Sequence, residues 1–320
     1  MIVTKTPLRV SLAGGGTDLP AYYGNRGIGE VISLSINRYI YITSSKYHDP
    51  DATSFKYSEV EVVSRHENLK NPIVKEVLTH FDLPRGFEFS SLSEVPGGTG
   101  LGSSSAFTVG LVSNVAMMLG RPLSQHDAAE LACFIELEKL GEPIGKQDQY
   151  GCAVGGLKRI EFRNQGVTTS SLSLSNDSLS RLSDRLALVR VGAVRSASEI
   201  LKEVQSRPQV NFAKLDAIRD LVAPVKSCLM TGDIKGLGAA LDENWRLKKT
   251  LNAGVSNKII DDLYDAFVPK FAYGGKLLGA GGSGFLCLIL REPLREQRAG
   301  PCSMAEPLNI DMDGVRSWSI

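Results

Sequence analysis

The order of strand-like and helix-like segments predicts an α+β protein. Two runs of alternating or apolar residues, LRVSLAG and VISLSINRYIYITSS, are typical of strands and open the chain. A helical pattern starts at Ser103, and the C-terminal half combines long helical patterns with the strand-like run FLCLIL. Because these segments do not repeat as strand–helix–strand units, their order favours α+β over a doubly wound parallel sheet.

Length and charge limit the kinds of ligand. The chain has 320 residues, 42% of them hydrophobic, which is enough for one large or two medium globular domains. Lysine plus arginine number 36 and aspartate plus glutamate 35, so no overall field favours nucleic acid or a membrane surface. We therefore expect a small-molecule substrate and no nucleic-acid or membrane partner, with a homodimer as a possible assembly.

Cysteine usage and the N-terminal segment predict a cytoplasmic protein. The five cysteines are odd in number and never spaced as CxxC, which argues against a disulfide framework or a structural zinc site. The segment MIVTKTPLRVSLAGGG lacks the apolar core of a signal peptide, and the apolar runs are too short to span a bilayer.

The first half of the chain contains two predicted strands and two predicted helices. A glycine-rich turn at Gly14–Gly16 separates the strands. One helix is predicted over 103–118, where apolar side chains recur on one face until a glycine and a proline stop the pattern. The next helix is predicted to begin at the capping-box-like Ser124–Asp127 and to end near Gly141.

The serine-rich segment TTSSLSLSNDSLSRLSD is predicted to be a surface connection. We place a soft domain boundary near residue 165, which divides the chain into 1–165 and 166–320. Beyond it, LALVRVG predicts a strand, SASEILKEV a helix, and residues 212–250 long helices. GGKLLGAGGSGFLCLIL predicts a glycine turn that leads into a strand.

Residues 96–106, PGGTGLGSSSA, form a glycine-rich loop directly ahead of a predicted helix. Such a loop directs backbone N–H groups and the positive end of the helix dipole towards a phosphate. A flexible linker is disfavoured, because the strand-like FEFSSLSEV and an amphipathic helix bound the segment. The segment is also no P-loop, since no lysine follows Gly102, and it does not fit the dinucleotide pattern GxGxxG.

Two further glycine-rich segments are ambiguous when taken singly. Gly279–Gly284 does match GxGxxG, but a predicted strand follows it where the dinucleotide fingerprint must open a helix. The segment PLRVSLAGGGTDL ends a strand in three glycines and places Thr17 and Asp18 where a polar ligand could meet them. A glycine turn with an Asx cap is the alternative for that segment.

Together, and in this order, the three segments resemble the motifs of the GHMP kinases, which include galactokinases, homoserine kinases, mevalonate kinases and phosphomevalonate kinases. PLRVSLAGGGTDL is similar to the first motif, PGGTGLGSSSA to the second and KLLGAGGSGF to the third, and the likeness extends from residue 5 to about 290. It implies a two-domain fold, with an N-terminal domain like ribosomal protein S5 and a C-terminal ferredoxin-like α/β sandwich. It also implies a kinase with ATP and Mg²⁺ as cofactors.

The resemblance implies a nucleotide site in the second and third motifs. Residues 97–105 would cradle the phosphates, and Ser104 and Glu136 would hold Mg²⁺, which prefers oxygen donors. A helix cap by the serines and a solvated surface glutamate are the alternatives. The predicted cofactor-binding residues are Gly97, Gly98, Thr99, Gly100, Leu101, Gly102, Ser103, Ser104, Ser105, Gly281 and Gly282.

Catalysis is implied to depend on Asp148 and Arg9. Asp148, in GKQDQYG, corresponds to the aspartate of the family that accepts the proton of the attacking hydroxyl or orients that hydroxyl. Arg9 matches the basic residue of the first motif, placed to pair with Asp148 and with the phosphoryl group; an ordinary strand-edge arginine is the alternative. Such groups suit phosphoryl transfer, because that reaction depends mostly on positioning and charge neutralisation.

A sub-pattern within the family suggests the acceptor. AGGGTDLPAYY, GKQDQYG, WRLKK and KLLGAGGSGF together resemble the sugar kinases that phosphorylate the anomeric C1 oxygen of D-glycero-D-manno-heptose 7-phosphate, a step towards GDP-heptose for capsule or surface polysaccharide. A fucose- or galactose-type acceptor and a catalytically inactive sugar-sensing protein are the alternatives. Retention of Asp148, Ser104, Glu136 and Arg9 argues against the inactive protein.

A phosphorylated sugar needs cations for its existing phosphate. Arg195 precedes SASE, a predicted helix start with free N–H groups, and is the preferred phosphate contact. Arg246, Lys248 and Lys249 are alternatives, although a basic run on a helix is usually a solvated face. Substrate contacts are predicted for Gly15, Gly16, Thr17, Asp18, Gln147, Arg195, Arg246 and Lys249.

Overall fold

The computed structural model of the chain describes residues 1–192, 208–297 and 300–320. The predicted helix SASEILKEV and Arg195 lie outside these residues. Within them the chain forms two β-sheets covered by helices, which confirms the predicted α+β class. None of the described helices is long and apolar enough to cross a membrane.

The larger sheet contains eight strands of the described chain. They are β1 (Ile2–Ala13), β2 (Gly29–Lys46), β3 (Thr53–Lys56), β4 (Val60–Val63), β5 (Phe87–Ser93), β6 (Leu157–Arg163), β7 (Gly166–Ser171) and β12 (Arg316–Ser319). Their order is β12-β1-β2-β5-β3-β4, and β6 joins β2 to β7. The long strand β2 pairs with β1 on one edge and with β5 and β6 at opposite ends of its other edge.

The smaller sheet is antiparallel and lies in the C-terminal half. It contains β8 (Leu186–Val191), β9 (Ala272–Leu277), β10 (Gly284–Leu290) and β11 (Ala305–Pro307), in the order β11-β8-β10-β9. The strands predicted from LALVRVG and FLCLIL are confirmed as β8 and β10. Because Gly279–Gly284 leads into β10 and not into a helix, it is not a dinucleotide fingerprint.

The helices surround both sheets. They are α1 (Pro20–Arg26), α2 (Pro72–His80), α3 (Ser103–Met118), α4 (Gln125–Cys133), α5 (Gln147–Ala153), α6 (Asn176–Arg185), α7 (Pro208–Asp220), α8 (Val222–Thr231), α9 (Ile234–Lys249) and α10 (Lys258–Phe267). The helix predicted over 103–118 is confirmed as α3. The predicted start of the next helix is also confirmed, because the Ser124 side chain accepts a hydrogen bond from the Asp127 backbone N–H and caps α4.

The serine-rich segment is not the simple surface connection that the sequence predicts. Its first part is β7, which pairs with β6, and its second part is α6. The strand forms because an edge strand needs to bury only one face, and Val167 supplies the buried side chain while the serines and threonines lie mostly outside. Ser175 caps α6, and Leu182 anchors that helix in the core.

Helix α3 lies against β1 and β2 and is covered by α4 and α5. Since it has neighbours on all sides, most of its side chains are buried, polar ones included. Asn114 Nδ2 donates to Thr4 Oγ1 at 3.0 Å and to the Ile42 carbonyl at 3.2 Å. The backbone N–H of Arg9 on β1 also donates to the Leu101 carbonyl at 3.0 Å. The larger sheet therefore holds the start of α3 and the glycine-rich loop before it.

The boundary near residue 165 stays a prediction. Strands β7 and β12 both follow that residue, yet both belong to the larger sheet. Strand β12 pairs antiparallel with β1, from Ile2 opposite Ser319 to Lys5 opposite Arg316. The larger sheet is thus built from both ends of the chain.

Candidate active site

A cavity of about 490 Å³ lies where the three glycine-rich segments meet. One wall is formed by β1, the first glycine turn, the loop before α3 and the start of α5. The other wall is formed by residues of α7 and α9 and by the glycine turn that follows β9. Both halves of the chain therefore contribute to one site.

The loop before α3 offers backbone N–H groups to the cavity. Gly98, Gly100 and Gly102 all have positive φ angles of 72° to 78°, a backbone conformation that side chains disfavour. Gly102 is the N-cap of α3, and no side chain caps this helix. The first N–H groups of α3 therefore have no side-chain capping partner at the place where a helix start favours an anion.

Glu136 is a buried carboxylate surrounded by hydrogen-bond donors. It lies on a π-helical segment, Phe134–Lys139, that continues α4. Its oxygens accept hydrogen bonds from Ser105 Oγ and Thr108 Oγ1, both at 2.9 Å, and from Gln149 Nε2. Burial raises its pKa to about 7 despite these donors. The hydroxyls of Ser104 and Ser105 thus point to this carboxylate, and no serine side chain caps the helix.

Ser104 and Glu136 are suited to hold a divalent cation. The Ser104 hydroxyl lies 3.5 Å from Glu136 Oε1, and both residues line the cavity. No cation pairs with Glu136 among the described residues, so a metal ion would offset the cost of burying its charge. The same part of the chain has no cluster of three or more His, Cys, Asp or Glu side chains that could hold a metal. The protein would therefore give Mg²⁺ two oxygen donors and leave further positions to phosphate and water.

Arg9 and Asp148, which both line the cavity, form an ion pair. The Arg9 Nε and Nη2 atoms lie 2.9 and 2.6 Å from the same oxygen, Asp148 Oδ1. Arg9 Nη1 donates to the Gly100 carbonyl at 2.7 Å, which ties the pair to the glycine loop. Burial alone would lower the pKa of Arg9, but the Asp148 charge and hydrogen bond outweigh it and raise the pKa. Asp148 Oδ2 has no hydrogen-bond partner in the described chain.

Asp18 fastens the first glycine turn to the start of α5. Its Oδ1 accepts from the Gly16 N–H at 3.0 Å, and its Oδ2 from the Gln147 N–H at 3.1 Å. Burial and the nearby charge of Asp148 raise the pKa of Asp18 to about 6. Asp18 therefore positions the elements around Asp148 and also lines the cavity.

Three buried polar atoms of the cavity lining have no hydrogen-bond partner among the described residues. They are Ser11 Oγ, Gln147 Oε1 and Asn244 Nδ2. Buried polar groups are normally satisfied, so such atoms at a cavity are suited to a ligand that carries several hydroxyl groups. A sugar is a ligand of this kind.

The predicted site residues divide into those in the cavity lining and those outside it. Those in the lining are Arg9, Gly15, Gly16, Asp18, Gly98, Gly100, Gly102, Ser103, Ser104, Ser105, Glu136, Gln147, Asp148 and Gly281. Those outside it are Thr17, Gly97, Thr99, Leu101, Gly282, Arg246 and Lys249. Arg195, the preferred phosphate contact, lies outside the described residues, so its role stays a prediction.

Residues outside the lining have other partners. Thr17 Oγ1 donates to the carbonyls of Gly14 and Glu30, and Thr99 Oγ1 to that of Pro96, so both hydroxyls stabilise backbone turns. Arg246 is two-thirds exposed and pairs with carboxylates on its own helix, while Lys249 pairs with Asp261. The structure does not bring these two cations to the cavity.

The sequence analysis missed Lys276 and Asn244 and named Lys248 only as an alternative phosphate contact, although all three line the cavity. Lys276 had one usable signal, because it is a single charged residue in the otherwise apolar or glycine-rich strand β9. Charged side chains are rarely buried without a reason. Asn244 and Lys248 are four residues apart on α9, so they lie on one helix face.

The loop before α3 and the third glycine segment touch through their backbones. Gly100 has a φ of 78°, and a Cβ atom there would lie 2.7 Å from the Leu278 carbonyl oxygen. Gly279 has a φ of 68°, and its Cβ would lie 2.4 Å from the Gly100 Cα. Neither position has room for a side chain, so the two glycines allow the second and third motifs to meet.

We expect Gly100→Ala to weaken ATP binding by at least about 10-fold, because the side chain forces the two loops apart. The left-handed backbone also costs about 1 kcal/mol of folding free energy with alanine. The matched control is Gly120→Ala, which has a φ of 70° and no atom within 4 Å of the added Cβ. Calorimetric titration with ATP and urea unfolding separate the two effects. Equal ATP affinity in both variants would contradict the proposed importance of the loop contact.

Comparison with known proteins identifies the family. Residues 68–156 match the model of the GHMP kinases N terminal domain. Over its whole length the chain is 31% identical to a D-glycero-alpha-D-manno-heptose 7-phosphate kinase of Campylobacter jejuni, and the match covers 99% of that protein. The chain is a GHMP kinase. Its relatives of this kind make it a sugar kinase, which as a kinase uses a nucleotide as phosphoryl donor.

Two further known proteins are similar to this GHMP kinase. A bifunctional fucokinase/GDP-fucose pyrophosphorylase of Arabidopsis thaliana is 27% identical over 99% of the chain, which spans 32% of that longer protein. A crystal structure of a D-glycero-D-manno-heptose 1-phosphate kinase from Bacteroides thetaiotaomicron superposes with a TM-score of 0.80. That match covers 100% of this chain and 99% of the other at 24% identity, and it confirms the fold.

Proposed function

We propose that this GHMP kinase transfers the γ-phosphoryl group of ATP to the anomeric C1 hydroxyl of D-glycero-D-manno-heptose 7-phosphate and forms the 1,7-bisphosphate, with Mg²⁺ as the metal cofactor. The observation that carries the reaction type is the Arg9–Asp148 ion pair beside the glycine loop, in a cavity lined by all three motifs. The acceptor is supported by the full-length similarity to the heptose 7-phosphate kinase of C. jejuni.

In the proposed reaction Asp148 receives the proton of the C1 hydroxyl. A bond forms between the C1 oxygen and the γ-phosphorus, the bond from that phosphorus to the bridging oxygen breaks, and ADP leaves with the electron pair. Asp148 Oδ1 is held by Arg9, while Oδ2 has no partner in the described chain and is available as the proton acceptor. Arg9 also holds the Gly100 carbonyl, so the proton acceptor and the phosphate loop keep a fixed relation.

The remaining residues bind and orient the substrates and the metal ion. The N–H groups at the start of α3 are suited to the phosphates, and Ser104 and Glu136 would hold Mg²⁺. When bound, the metal neutralises phosphate charge and orients the transferring group. Asp18, Gln147 and Ser11 are placed in the cavity to meet sugar hydroxyl groups.

We further propose that the product enters GDP-heptose synthesis for capsule or surface polysaccharide, and that the enzyme works in the cytoplasm. This location is supported by the five free cysteines, which suit a reducing compartment. The proposal includes no nucleic-acid or membrane partner, because the chain carries nearly equal numbers of cationic and anionic side chains.

A fucose- or galactose-type acceptor is the alternative, and the similarity to the fucokinase of A. thaliana favours testing it. The test is ADP release by the purified enzyme with ATP and Mg²⁺ and with heptose 7-phosphate, fucose or galactose as acceptor. We expect kcat/KM for heptose 7-phosphate to exceed both others by at least about 100-fold, because sites built for a charged group strongly reject ligands without it. Faster phosphorylation of fucose or galactose would replace the proposed acceptor.

A further inference from the structure

Two lysines of the C-terminal half line the cavity and have no acidic partner among the described residues. Lys276, on β9, is only 3% exposed and has no hydrogen-bond or ion-pair partner among the described residues. Lys248, at the end of α9, donates to the carbonyl oxygens of Leu277, at 2.8 Å, and Gly279. Burying an ammonium group without an anion costs folding free energy. Two such groups at one cavity therefore indicate a site for an anionic ligand.

A third donor lies on the same wall. Asn244 is one helical turn before Lys248 on α9 and is 2% exposed, and its Nδ2 has no partner in the described chain. Together α9 and β9 present two cations and one amide N–H to the cavity. This set suits a phosphate, which accepts several hydrogen bonds and carries negative charge.

The cavity has its opposite charges on different walls. Its four carboxylates belong to the N-terminal half, and one of them, Asp148, is already paired with Arg9. They are Asp18, Glu136, Glu142 and Asp148. The two lysines belong to the other wall, where their like charges repel one another. Burial lowers the pKa of Lys276 to about 7, and the charge of Arg9 acts in the same direction. An anion bound between them would reverse this effect.

Hydrogen bonds to the two glycine loops indicate which part of the cavity the lysines contact. Arg9 Nη1 donates to the Gly100 carbonyl, and Lys248 Nζ donates to the Gly279 carbonyl. Gly100 and Gly279 are the two residues whose backbones touch. The Arg9 guanidinium and the Lys248 ammonium group are therefore held on the two sides of one loop contact, next to the predicted phosphate cradle.

We propose that Lys276, Lys248 and Asn244 form a phosphoryl-binding subsite on the C-terminal wall of the cavity. The loop contact favours the transferring γ-phosphoryl group of ATP as its occupant, and the phosphate that the sugar already carries is the other source of the same chemistry. The subsite rests on the proposed function, because both occupants are substrates of that reaction. It adds Lys276 to the anion contacts that the sequence predicts, and among the alternatives to Arg195 it selects Lys248 over Arg246 and Lys249.

The test compares full-length Lys276→Met and Lys248→Met with the wild type. Lys235→Met is the control, because Lys235 is exposed in the first turn of α9. Calorimetric titration with ATP and with ADP, both with Mg²⁺, measures nucleotide affinity, and ADP release with heptose 7-phosphate measures KM and kcat. We expect Lys276→Met to raise the Kd for ATP by about 10- to 100-fold and to leave the Kd for ADP within about 2-fold, because one charge-assisted hydrogen bond is lost only with ATP.

A structural role for Lys276 predicts a different result. Methionine fills nearly the same volume without a buried charge, so we expect the melting temperature of Lys276→Met to stay level or rise. Lys276→Arg keeps the charge and is expected to retain part of the ATP affinity. A fall in melting temperature with equal losses for ATP and ADP would overturn the proposal, and Lys248→Met gives an independent measurement if Lys276→Met does not fold.

The remaining outcomes separate the two sources and the two proposals. A raised KM for heptose 7-phosphate with unchanged ATP binding assigns the subsite to the phosphate of the sugar. Unchanged ATP, ADP and heptose 7-phosphate constants in both lysine variants overturn the subsite and leave the proposed function intact. A wild-type enzyme that does not phosphorylate heptose 7-phosphate, but whose ATP affinity depends on Lys276, overturns the proposed acceptor and keeps the subsite.

Discussion

Replacing Asp148 by asparagine is expected to lower kcat by about 10³-fold, because a positioned general base contributes roughly 10² to 10⁴ in rate. Asparagine keeps the shape of the side chain but cannot accept the proton of the acceptor hydroxyl. It also removes the negative charge that pairs with buried Arg9. The measurement is steady-state ADP release with saturating ATP and acceptor, and Asp262→Asn, at an exposed ion pair on α10, is the control.

The Asp148→Asn variant is also expected to be less stable, by roughly 1 to 3 kcal/mol, because the Arg9 guanidinium keeps only a neutral partner. The Asp148 side chain is 28% exposed, so solvent moderates this loss. Calorimetric binding of ATP at a temperature well below unfolding separates folding from catalysis. A kcat within about 10-fold of the wild type would mean that the proton goes elsewhere and that Asp148 only orients the acceptor.

Replacing Glu136 by glutamine is expected to raise the Mg²⁺ concentration for half-maximal rate by about 100-fold, because the site loses the carboxylate donor that lies beside Ser104. The glutamine amide oxygen can still accept a hydrogen bond from Ser105, and its amide N–H group can donate to the Thr108 hydroxyl, so the fold around it is expected to persist. The measurement is a Mg²⁺ titration of ADP release at fixed ATP. The control is Glu138→Gln, which changes a residue of the same segment that does not line the cavity.

The raised pKa of Glu136 predicts that the stability of the metal-free protein depends on pH. Its native pKa of about 7 exceeds its ordinary value of 4.5, so the native state binds the extra proton between these pH values. The free energy of unfolding of the wild type therefore falls as pH rises from about 4.5 to 7, by roughly 3 kcal/mol from this residue alone. Glu136→Gln lacks this contribution.

Urea unfolding in EDTA at pH 5.5, 6.5 and 7.5 measures the difference between the two proteins. Other titrating groups, such as Asp18, are present in both proteins, so their contributions largely cancel in the difference between the two unfolding free energies. We expect the variant to gain stability relative to the wild type as pH rises, and Mg²⁺ to reverse the gain above pH 7. Parallel curves for the two proteins would show that the buried carboxylate is stabilised equally well in its charged form.

The sequence predicts those parts of the fold that depend on local signals. The bounds of α3 and the cap of α4 follow from glycine, proline and serine at the helix ends, so the structure confirms them. The order of the three glycine motifs also predicts the family. Strand β7 could not be predicted in this way, because a polar segment becomes a strand only through its pairing with β6.

In the candidate site, too, the residues of local motifs are predicted from the sequence, and the residues placed by tertiary packing are not. Arg9, Asp148, Ser104 and Glu136 come from recognisable motifs, and the structure brings them to one cavity. The C-terminal wall depends on how α9 packs against β9, which no local pattern encodes. Sequence reasoning therefore preferred Arg195 and included the exposed Arg246 as an alternative, while the buried Lys276 was visible only as a single charge within an apolar strand.

The hydrogen bonds of Arg9 have a consequence for how the two substrates bind. One side chain joins Asp148, which would meet the acceptor, to the Gly100 carbonyl of the nucleotide loop, and its backbone N–H joins the Leu101 carbonyl. A ligand that fixes Asp148 or the nucleotide loop also restricts the motion of the other through Arg9. The second ligand then binds to a site that is already partly ordered, and its binding costs less conformational entropy. We expect the two substrates to bind with positive cooperativity. By thermodynamic reciprocity the sugar then raises the affinity for ATP by the same factor as ATP raises the affinity for the sugar.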